Sequence, residues 1–437
     1  MQTTYSLPLT ADLWRHTPEW PLWRRLLFRF TFIYVALYMS PWQWLGSWPV
    51  GNTLAEYYSA GESWLVTFAN DHLFHVKDQL VPLNGSGDTS YGYAQLCLFA
   101  LLAVVGAVIW SLLDRRRNYD RLAYWFLVVL RYYVAMIAFG YGIIKLFGQQ
   151  MPFPLISQLA TPLGDLLPMR FSWLFIGYSA PYQFFSGAVE VLTGLLLLWR
   201  RTATLGAFVG ATVFMNVMVL NLCYDIPVKL FSIHLFAFCN LLLLSDTGRL
   251  LDFFVFNQPT KPKAHFRLRS PRMQWARIGL KVAFVGIFAL VPLYGPLWET
   301  MFSSEGPTPP KLKSGFYEVT DFRANPTLAD SLRWQNVVFE ETQAMGSILT
   351  TDTLFRQRYR RGYFSYALDS TGRNLAVRKM ASDSLPLFTL QVTRPDTNRL
   401  LLSGLFRGDS LHVALRRTNR HFQLAERQFH WLSEANR

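Results

Sequence analysis

Long apolar runs recur along this chain of 437 residues and constrain its fold more than any other feature. Each run has about 18 residues or more, the length that a helix needs to cross the hydrocarbon core of a bilayer. Hydrophobic residues make up 51% of the sequence and charged residues 16%, against roughly 25% charged residues in soluble domains. We therefore expect an α-helical polytopic membrane bundle. Its seven predicted spans lie at about residues 24–45, 91–112, 122–146, 181–199, 203–220, 228–246 and 277–296.

Lysine and arginine residues are distributed unevenly around these spans. Sixteen flank the spans on the side of the N-terminus, and three (Lys77, Arg170 and Lys229) lie on the opposite side. Because positive residues are retained on the cytoplasmic side, the N-terminus is predicted to be cytoplasmic and, with an odd number of spans, the C-terminus to lie outside. The net charge of +14 is explained by this bias, so no nucleic-acid partner is expected.

Composition divides the chain into four parts. A cytoplasmic N-terminal segment at 1–23 precedes the transmembrane domain at 24–298. A linker rich in Pro, Gly, Ser and Lys follows at 299–315. The remaining residues, 316–437, are predicted to form an extracytoplasmic β domain.

The C-terminal part consists of short β-branched and aromatic runs separated by turns. Leu411, Val413 and Leu415 alternate with more polar residues, which is the period of a half-buried strand. Six to nine such strands predict a small all-β antiparallel barrel or sandwich. The predicted turns include TGRN at 371–374 and RGDS at 407–410. The aromatic residues expected in the core are Phe364, Tyr366, Phe388 and Trp431.

Polar side chains inside the predicted spans need a partner or a function, because an ionisable group in hydrocarbon costs on the order of several kcal/mol. At about 1.5 Å per residue, Glu190 lies near mid-membrane and Arg131 at comparable depth, so an ion pair between them is geometrically possible. Gly187 and Gly194 flank Glu190, as expected where helices pack closely. The residues considered for a shared, outward-facing intramembrane polar site are Arg131, Tyr141, Lys145, Glu190, Asn216, Asn221, Asp225 and His234.

Each of these residues also has a purely structural interpretation. Ion pairs and amides join helices, His234 forms interhelical hydrogen bonds, and Lys145 and Lys229 extend toward the interface. Neither a catalytic residue nor a metal site is identified.

The stretch PLNGSGDTSYGYAQL, residues 82–96, is a polar loop directly ahead of an apolar span. In one interpretation Asp88 or Thr89 caps the following helix while Gly85 and Gly87 form the turn. In the other, Asp88 reaches the level of the outer polar residues and the loop covers a site that opens outward.

Two further segments are interpreted by pattern. His72 and His75 are spaced as on a helix, and they are assigned to an amphipathic helix along the outer leaflet rather than to a metal site. The apolar residues of that helix are Trp64, Leu65, Phe68, Leu73 and Phe74. The segment 152–178 is apolar but broken by four prolines, which predicts re-entrant or interfacial structure.

The third to sixth spans resemble the DoxX/DoxD-like integral membrane family. The resemblance rests on RYYVAMIAFGYGIIKLFG, FFSGAVEVLTGLLLLWRRTATLGA, NVMVLNLCYDIPVKL and LLLLSDTGRLLDFF, and it covers roughly residues 125–255. Carried over to this chain, it points to Lys145 and Glu190. It also implies a bacterial inner membrane, with the added β domain in the periplasm, and quinone- or thiol-linked redox chemistry in some members.

Three functions remain open. The first is an accessory subunit of membrane redox chemistry in which the polar site binds a quinone or small reductant. Such a subunit needs a redox partner protein, since the chain has no thiol pair, haem ligand set or flavin motif. The second is a transporter or lipid-handling protein, and the third is a membrane scaffold that presents the periplasmic β domain. Beyond the lipid bilayer no partner is identified, and the sequence does not identify the chain as an enzyme.

Overall fold

The computed structural model describes residues 19–40, 51–85, 87–260, 270–302, 312–324, 328–341, 344–427 and 431–432. Most of the predicted cytoplasmic segment, the end of the first predicted span and most of the linker lie outside these ranges. The chain divides into two compact units. One consists of Met1–Gln149 with Phe184–Leu297, and the other of Gln150–Gln183 with Trp298–Arg437.

Helices make up the first unit and also begin the second. In chain order they are α1 (Leu22–Met39), α2 (Gly51–Ala69), α3 (Ser90–Leu113), α4 (Asp120–Leu146), α5 (Ile156–Leu159), α6 (Pro168–Tyr178), α7 (Ala180–Leu198), α8 (Ala203–Cys223), α9 (Lys229–Leu244), α10 (Thr247–Phe254), α11 (Pro271–Val285) and α12 (Val291–Phe302). A π-helical turn at Asn70–Phe74 extends α2, and another at Gly286–Leu290 joins α11 to α12.

In the described residues, five helices are long and apolar enough to cross a membrane: α3, α4, α7, α8 and the continuous helix Pro271–Trp298. The pair α9 and α10 makes a sixth if it is counted as one span bent by 81°. Helix α1 coincides with the first predicted span but carries three arginines in 18 residues. Membrane-crossing helices are therefore supported by length and composition, while the count of seven remains a prediction.

Helix α4 contributes most to the buried core of the first unit. Leu130, Val134 and Phe139 are at most 1% exposed and belong to one cluster with residues of four other helices. Those neighbours include Val35 of α1, Leu197 of α7, Phe214 of α8 and Phe238 of α9.

The β part of the second unit is a closed antiparallel barrel, so of the two predicted architectures the barrel is the one that forms. Its strands are β1 (Gly315–Arg323), β2 (Asn336–Phe339), β3 (Met345–Leu349), β4 (Arg356–Arg358), β5 (Arg361–Leu368), β6 (Asn374–Arg378), β7 (Phe388–Asp396), β8 (Arg399–Phe406) and β9 (Asp409–Thr418). Strand β3 pairs with β5, and β1 pairs with β9, so eight strands close the barrel while the short β4 pairs only along β5.

Aromatic and aliphatic side chains fill the barrel. The predicted alternation of β9 is confirmed, because Leu411, Val413 and Leu415 are at most 1% exposed. The predicted turns at TGRN and RGDS are also confirmed as the connections β5–β6 and β8–β9. Of the expected aromatic residues, Phe364, Tyr366 and Phe388 join the core. Trp431 does not; it is 91% exposed in the short C-terminal stretch beyond the last strand, so its assignment to the core was wrong.

The Pro-broken segment packs on this barrel. The backbone N–H groups of Ile156 and Ser157, at the start of α5, each donate a hydrogen bond of 3.0 Å to the Glu340 carboxylate just after β2. Arg170 of α6 donates to the Tyr359 hydroxyl at 2.9 Å. Residues 150–183 are therefore an integral part of the barrel unit.

The turn between β5 and β6 is organised by one carboxylate, which predicts a pH dependence. Asp369 accepts hydrogen bonds from Thr371, from the backbone N–H of Arg373 and from the backbone and side chain of Asn374. These bonds to the charged form lower the pKa of Asp369 to about 2, below the roughly 3.9 of an unfolded chain. The stabilisation is thus complete above about pH 4 and is lost as the pH falls toward 2. In full-length protein, the protection of the Arg373 and Asn374 amides, measured as their hydrogen-exchange rates relative to the intrinsic rates at each pH, is expected to fall over this range. An Asp369→Asn variant should lack that pH dependence; an identical dependence in the variant would contradict the assignment.

Candidate functional site

Glycines bring α4 and α7 into backbone contact. A Cβ atom at Gly187 would lie 2.6 Å from the carbonyl oxygen of Gly142, and one at Gly142 would lie 2.9 Å from that of Gly187. At Gly194, a Cβ would meet the Phe139 ring at 2.8 Å. The predicted close packing around Glu190 is confirmed, since no larger residue fits these positions without moving a helix.

The contact holds a buried ion pair between Lys145, in the last turn of α4, and Glu190 in the middle of α7. The Lys145 Nζ donates to Oε1 of Glu190, and the two side chains are 8% and 1% exposed. The second oxygen, Oε2, is buried and has no hydrogen-bond partner in the part of the chain that the structure describes. Tyr141, one turn before Lys145, is close enough to Glu190 for the two side chains to interact electrostatically. The pair therefore links α4 to α7 and leaves one carboxylate oxygen without a partner among the described residues.

Arg131 is not the partner of Glu190, so the ion pair that depth alone allowed is wrong. On α4, Arg131 lies 14 residues before Lys145, about 21 Å along the axis. Its guanidinium lies 5.1 Å from the Tyr132 ring centroid, in a groove lined also by Arg200 and Lys281. Glu190 pairs with Lys145, at the C-terminal end of α4, because the two helices cross where Gly187 meets Gly142. Each of these glycines lies three residues before the charged residue on its own helix.

The polar loop before α3 contributes two caps. Thr89 accepts a hydrogen bond from the Gly92 N–H at 3.3 Å and caps α3, as one interpretation expected. Asp88 instead accepts from the backbone N–H groups of Lys229 and Leu230, at 2.7 and 3.0 Å, and so caps α9. The Lys229 ammonium lies 3.7 Å from the same carboxylate. Asp88 thus joins the start of α3 to the start of α9.

The connection between α8 and α9 contains two more of the predicted residues. Asn221 is 4% exposed, and its amide donates to the Val228 carbonyl at 3.4 Å. Asp225 has a positive φ of 49° and pairs with Lys229 at 2.7 Å from an 81% exposed position. Asn216, one turn and a half before Asn221, faces outward from α8. These residues shape a tight turn at the rim of the unit.

His234 is hydrogen-bonded through both ring nitrogens. Its Nδ1 donates to the Leu230 carbonyl at 2.6 Å, and its Nε2 lies 2.8 Å from the Tyr34 hydroxyl, from which it accepts in the neutral form of the ring. The ring stacks on Tyr38 at a centroid distance of 3.8 Å. Both ring nitrogens are used, as in the structural interpretation, and the imidazole joins α9 to α1.

The structure therefore separates the predicted site into groups. Lys145, Glu190 and Tyr141 lie together at the α4–α7 contact. Asp88 and Asp225 meet at Lys229, while His234 is engaged by α1 and Arg131 belongs to the far end of α4.

Arg29 is a buried polar residue that sequence reasoning missed. It is 2% exposed in α1, and its Nε donates to the Tyr119 hydroxyl at 3.0 Å. It also donates to the Ser111 hydroxyl at 2.5 Å and to the Asp114 carbonyl at 3.1 Å. An arginine one turn inside a predicted span was the available signal, but its role could be assigned only once α3 and the start of α4 were placed beside it.

The π-helical turn that extends α2 contains His72, and His75 follows that turn directly. Val66 and Ala69 are buried against Ala94 and Leu98 of α3, with Leu65 and Phe74 beside them. Trp64, Phe68 and Leu73 are exposed. The His72 ring stacks on Phe68 at 4.3 Å and bonds the Phe68 carbonyl, whereas His75 ends the helix with a φ of 48°. Helix α2 therefore carries apolar side chains both on the side that packs against α3 and on its exposed side.

One relative gives a comparison for this chain. It is 33% identical over 128 residues to a protein of Bacillus subtilis (strain 168) described as "Uncharacterized protein YwoB". The match covers 28% of this chain and 79% of YwoB. No family model matches the chain, and no solved structure matches it significantly.

Proposed function

We propose that this chain, which belongs to the same family as YwoB of Bacillus subtilis, is a DoxX-like inner-membrane protein that binds the head group of a quinone or small reductant at Lys145 and Glu190. It would act as an accessory subunit in membrane redox chemistry, with electrons carried by a partner. The observation that carries the proposal is the Oε2 atom of Glu190, which is buried beside Lys145 and has no hydrogen-bond partner among the residues that the structure describes. Ionisable residues inside membrane bundles commonly mark such sites.

The chemistry of the pair fits such a head group. Oε2 of Glu190 can accept a hydrogen bond from a hydroxyl, and the Lys145 ammonium has further N–H donors for a carbonyl. Tyr141 adds a phenol near the same carboxylate. The residues would bind and orient the ring, and the apolar helices around it would accept an isoprenoid tail.

The topology belongs to the same proposal, and chain connectivity supports it. Residues 150–183 pack on the barrel, so both must lie on one side of the membrane. The chain between them must then cross an even number of times. Helices α7, α8 and α11–α12 supply three crossings, so α9 is needed as the fourth despite the bend that follows it.

Chain connectivity supports a crossing by α1 as well. The Trp20 N–H donates to the Arg117 carbonyl at 3.0 Å, so the starts of α1 and α4 share one side. Since α3 crosses between them, one more crossing is required. Helix α1 runs antiparallel along α3, with Arg29 at Ser111 and Ile33 at Gly106, and it satisfies the requirement. The proposal therefore has seven crossings, and the Lys/Arg bias supports a periplasmic barrel within it.

Quinone binding tests this function directly. Full-length protein reconstituted with menaquinone and repurified should retain the quinone, while Glu190→Gln and Lys145→Met variants should bind roughly 10- to 100-fold more weakly. Asn216→Ala is the matched control, because it changes an outward-facing polar residue of the neighbouring helix α8 and should bind normally. Wild-type protein that retains no quinone, together with unchanged respiration of a deletion strain, would refute the proposal.

A scaffold that presents the barrel is the second candidate, favoured by the filled interior of that barrel. It predicts that Lys145 and Glu190 variants which fold normally keep the cellular role, and that deletion of residues 316–437 abolishes it. The opposite pattern would favour the quinone site.

A further inference from the structure

A groove rich in cations opens at the end of the helical unit away from Lys145. It has a volume of about 950 Å³ and lies between α4, the α7–α8 connection and α11. We call it the basic groove, and its charged lining residues are Arg131, Arg200, Arg201, Arg277 and Lys281. In the described part of the chain, no aspartate or glutamate lines it.

The cations are close enough to repel one another. Lys281 is within electrostatic reach of Arg131, Arg277 and Arg200. The Nε of Arg131 is buried and has no hydrogen-bond partner among the described residues. A smaller cleft that shares Arg131 contains Asp120 and Asp246. Oδ1 of Asp120 accepts from the Trp20 indole, its buried Oδ2 has no hydrogen-bond partner among the described residues, and Asp246 accepts from Thr204 and Arg249. Five basic and no acidic side chains among the described residues therefore line the basic groove, which favours an anionic ligand.

The rest of the lining is apolar. Trp125, Tyr132, Trp199 and Phe284 form its walls, and the Lys281 ammonium lies 5.3 Å from the Trp199 ring centroid. Exposed apolar residues of α11, such as Leu280 and Val282, continue the surface. A site with a cationic floor and apolar walls suits an anion that is attached to hydrocarbon.

We infer that the basic groove binds the phosphate head group of an anionic phospholipid. The parts of the acyl chains nearest to the head group lie against α4 and α11. Basic pockets between transmembrane helices on the cytoplasmic side bind such head groups, and that leaflet supplies anionic lipid. The site is separate from the Lys145–Glu190 pair, so it does not depend on quinone binding, but its position on the cytoplasmic side rests on the proposed topology.

Native mass spectrometry of the full-length protein, titrated with phosphatidylglycerol or phosphatidylcholine, tests the inference. Wild type should bind phosphatidylglycerol preferentially and with saturation. An Arg131→Met/Lys281→Met variant should bind it about 10- to 30-fold more weakly, since two basic contacts are lost. Arg121→Gln/Arg272→Gln is the matched control, because it removes two charges from exposed positions of the same helices outside the groove; it should bind within about twofold of wild type.

Thermal unfolding gives a second readout. Without anionic lipid, the Arg131→Met/Lys281→Met variant should unfold at the same or a higher temperature than wild type, because like charges have been removed. Phosphatidylglycerol should stabilise wild type and not the variant. If the double variant does not fold, the single rim variant Arg277→Gln must still weaken phosphatidylglycerol binding several-fold.

Three outcomes would overturn the inference. One is equal affinity of wild type for the two lipids. Another is equal weakening in the groove and control variants, which would indicate a diffuse charge effect. The third is displacement of phosphatidylglycerol by millimolar inorganic phosphate, which would indicate a site for a soluble anion.

Discussion

Alanine at Gly142 is expected to destabilise the helical unit by about 3 kcal/mol, whereas alanine at Gly140 is expected to be neutral or to stabilise it by up to about 1 kcal/mol. A Cβ at Gly142 would lie 2.7 Å from a Val191 methyl group and 2.9 Å from both the Gly187 oxygen and the Val191 nitrogen. Backbone atoms of α7 cannot move aside singly, so the helices must separate. At Gly140 a Cβ would meet nothing within 4 Å, and alanine is the better helix former.

The two substitutions are identical in chemistry and two residues apart on one helix, so each controls for the other. Unfolding of purified protein by heat or by denaturing detergent measures the difference. Similar effects of Gly140→Ala and Gly142→Ala would contradict the close contact between α4 and α7.

Loss of the Lys145 charge alone is expected to cost about 3 to 5 kcal/mol, because Lys145→Met leaves the Glu190 carboxylate buried without its counter-ion. Replacing both members, as in Lys145→Met/Glu190→Met, should recover most of this loss, since two apolar side chains of similar length fit the same contact. Unfolding experiments on the two variants and wild type measure the recovery.

A surface pair of the same unit is the control. Lys229 bridges to Asp225, which is 81% exposed, and such pairs contribute about 0 to 1 kcal/mol. Asp225→Asn should therefore change stability little. If the double Lys145/Glu190 variant is as unstable as the single one, the two residues do not form a simple buried pair. If it is stable but no longer binds quinone, the pair is needed for function rather than for the fold.

Local patterns were sufficient for the element types. Long apolar runs predicted helices α3, α4, α7, α8 and α11–α12, because hydropathy over about 20 residues depends on composition alone. Alternation in β9 predicted a strand with one buried face, and RGDS predicted the turn before it. Closure into a barrel could not be read from these patterns, since the pairings β3–β5 and β1–β9 depend on strand twist and stagger along the whole sheet.

The ion-pair partner of Glu190 was the least accurate part of the prediction from sequence. Depth along each span identified Glu190 as a residue in need of a counter-ion, but it pointed to Arg131 and not to Lys145, the observed partner. The decision came from the crossing point of α4 and α7, which Gly142 and Gly187 determine by permitting backbone contact. The depth of a residue in a span does not show on which face of its helix it lies, nor which neighbouring helix that face contacts.

The sequence by itself determined that this protein has helices long and apolar enough to cross a membrane, followed by a β domain, and that charged residues inside those helices would need partners. Only the tertiary structure decided that Lys145 pairs with Glu190, that Asp88 caps α9, and that residues 150–183 pack on the barrel. The physical reason is the separation along the chain of the residues that determine each feature. Hydropathy and strand alternation are summed over neighbouring residues, whereas a salt bridge, a cap between two helices or a docked segment depends on atoms within about 3 Å that are far apart in the chain.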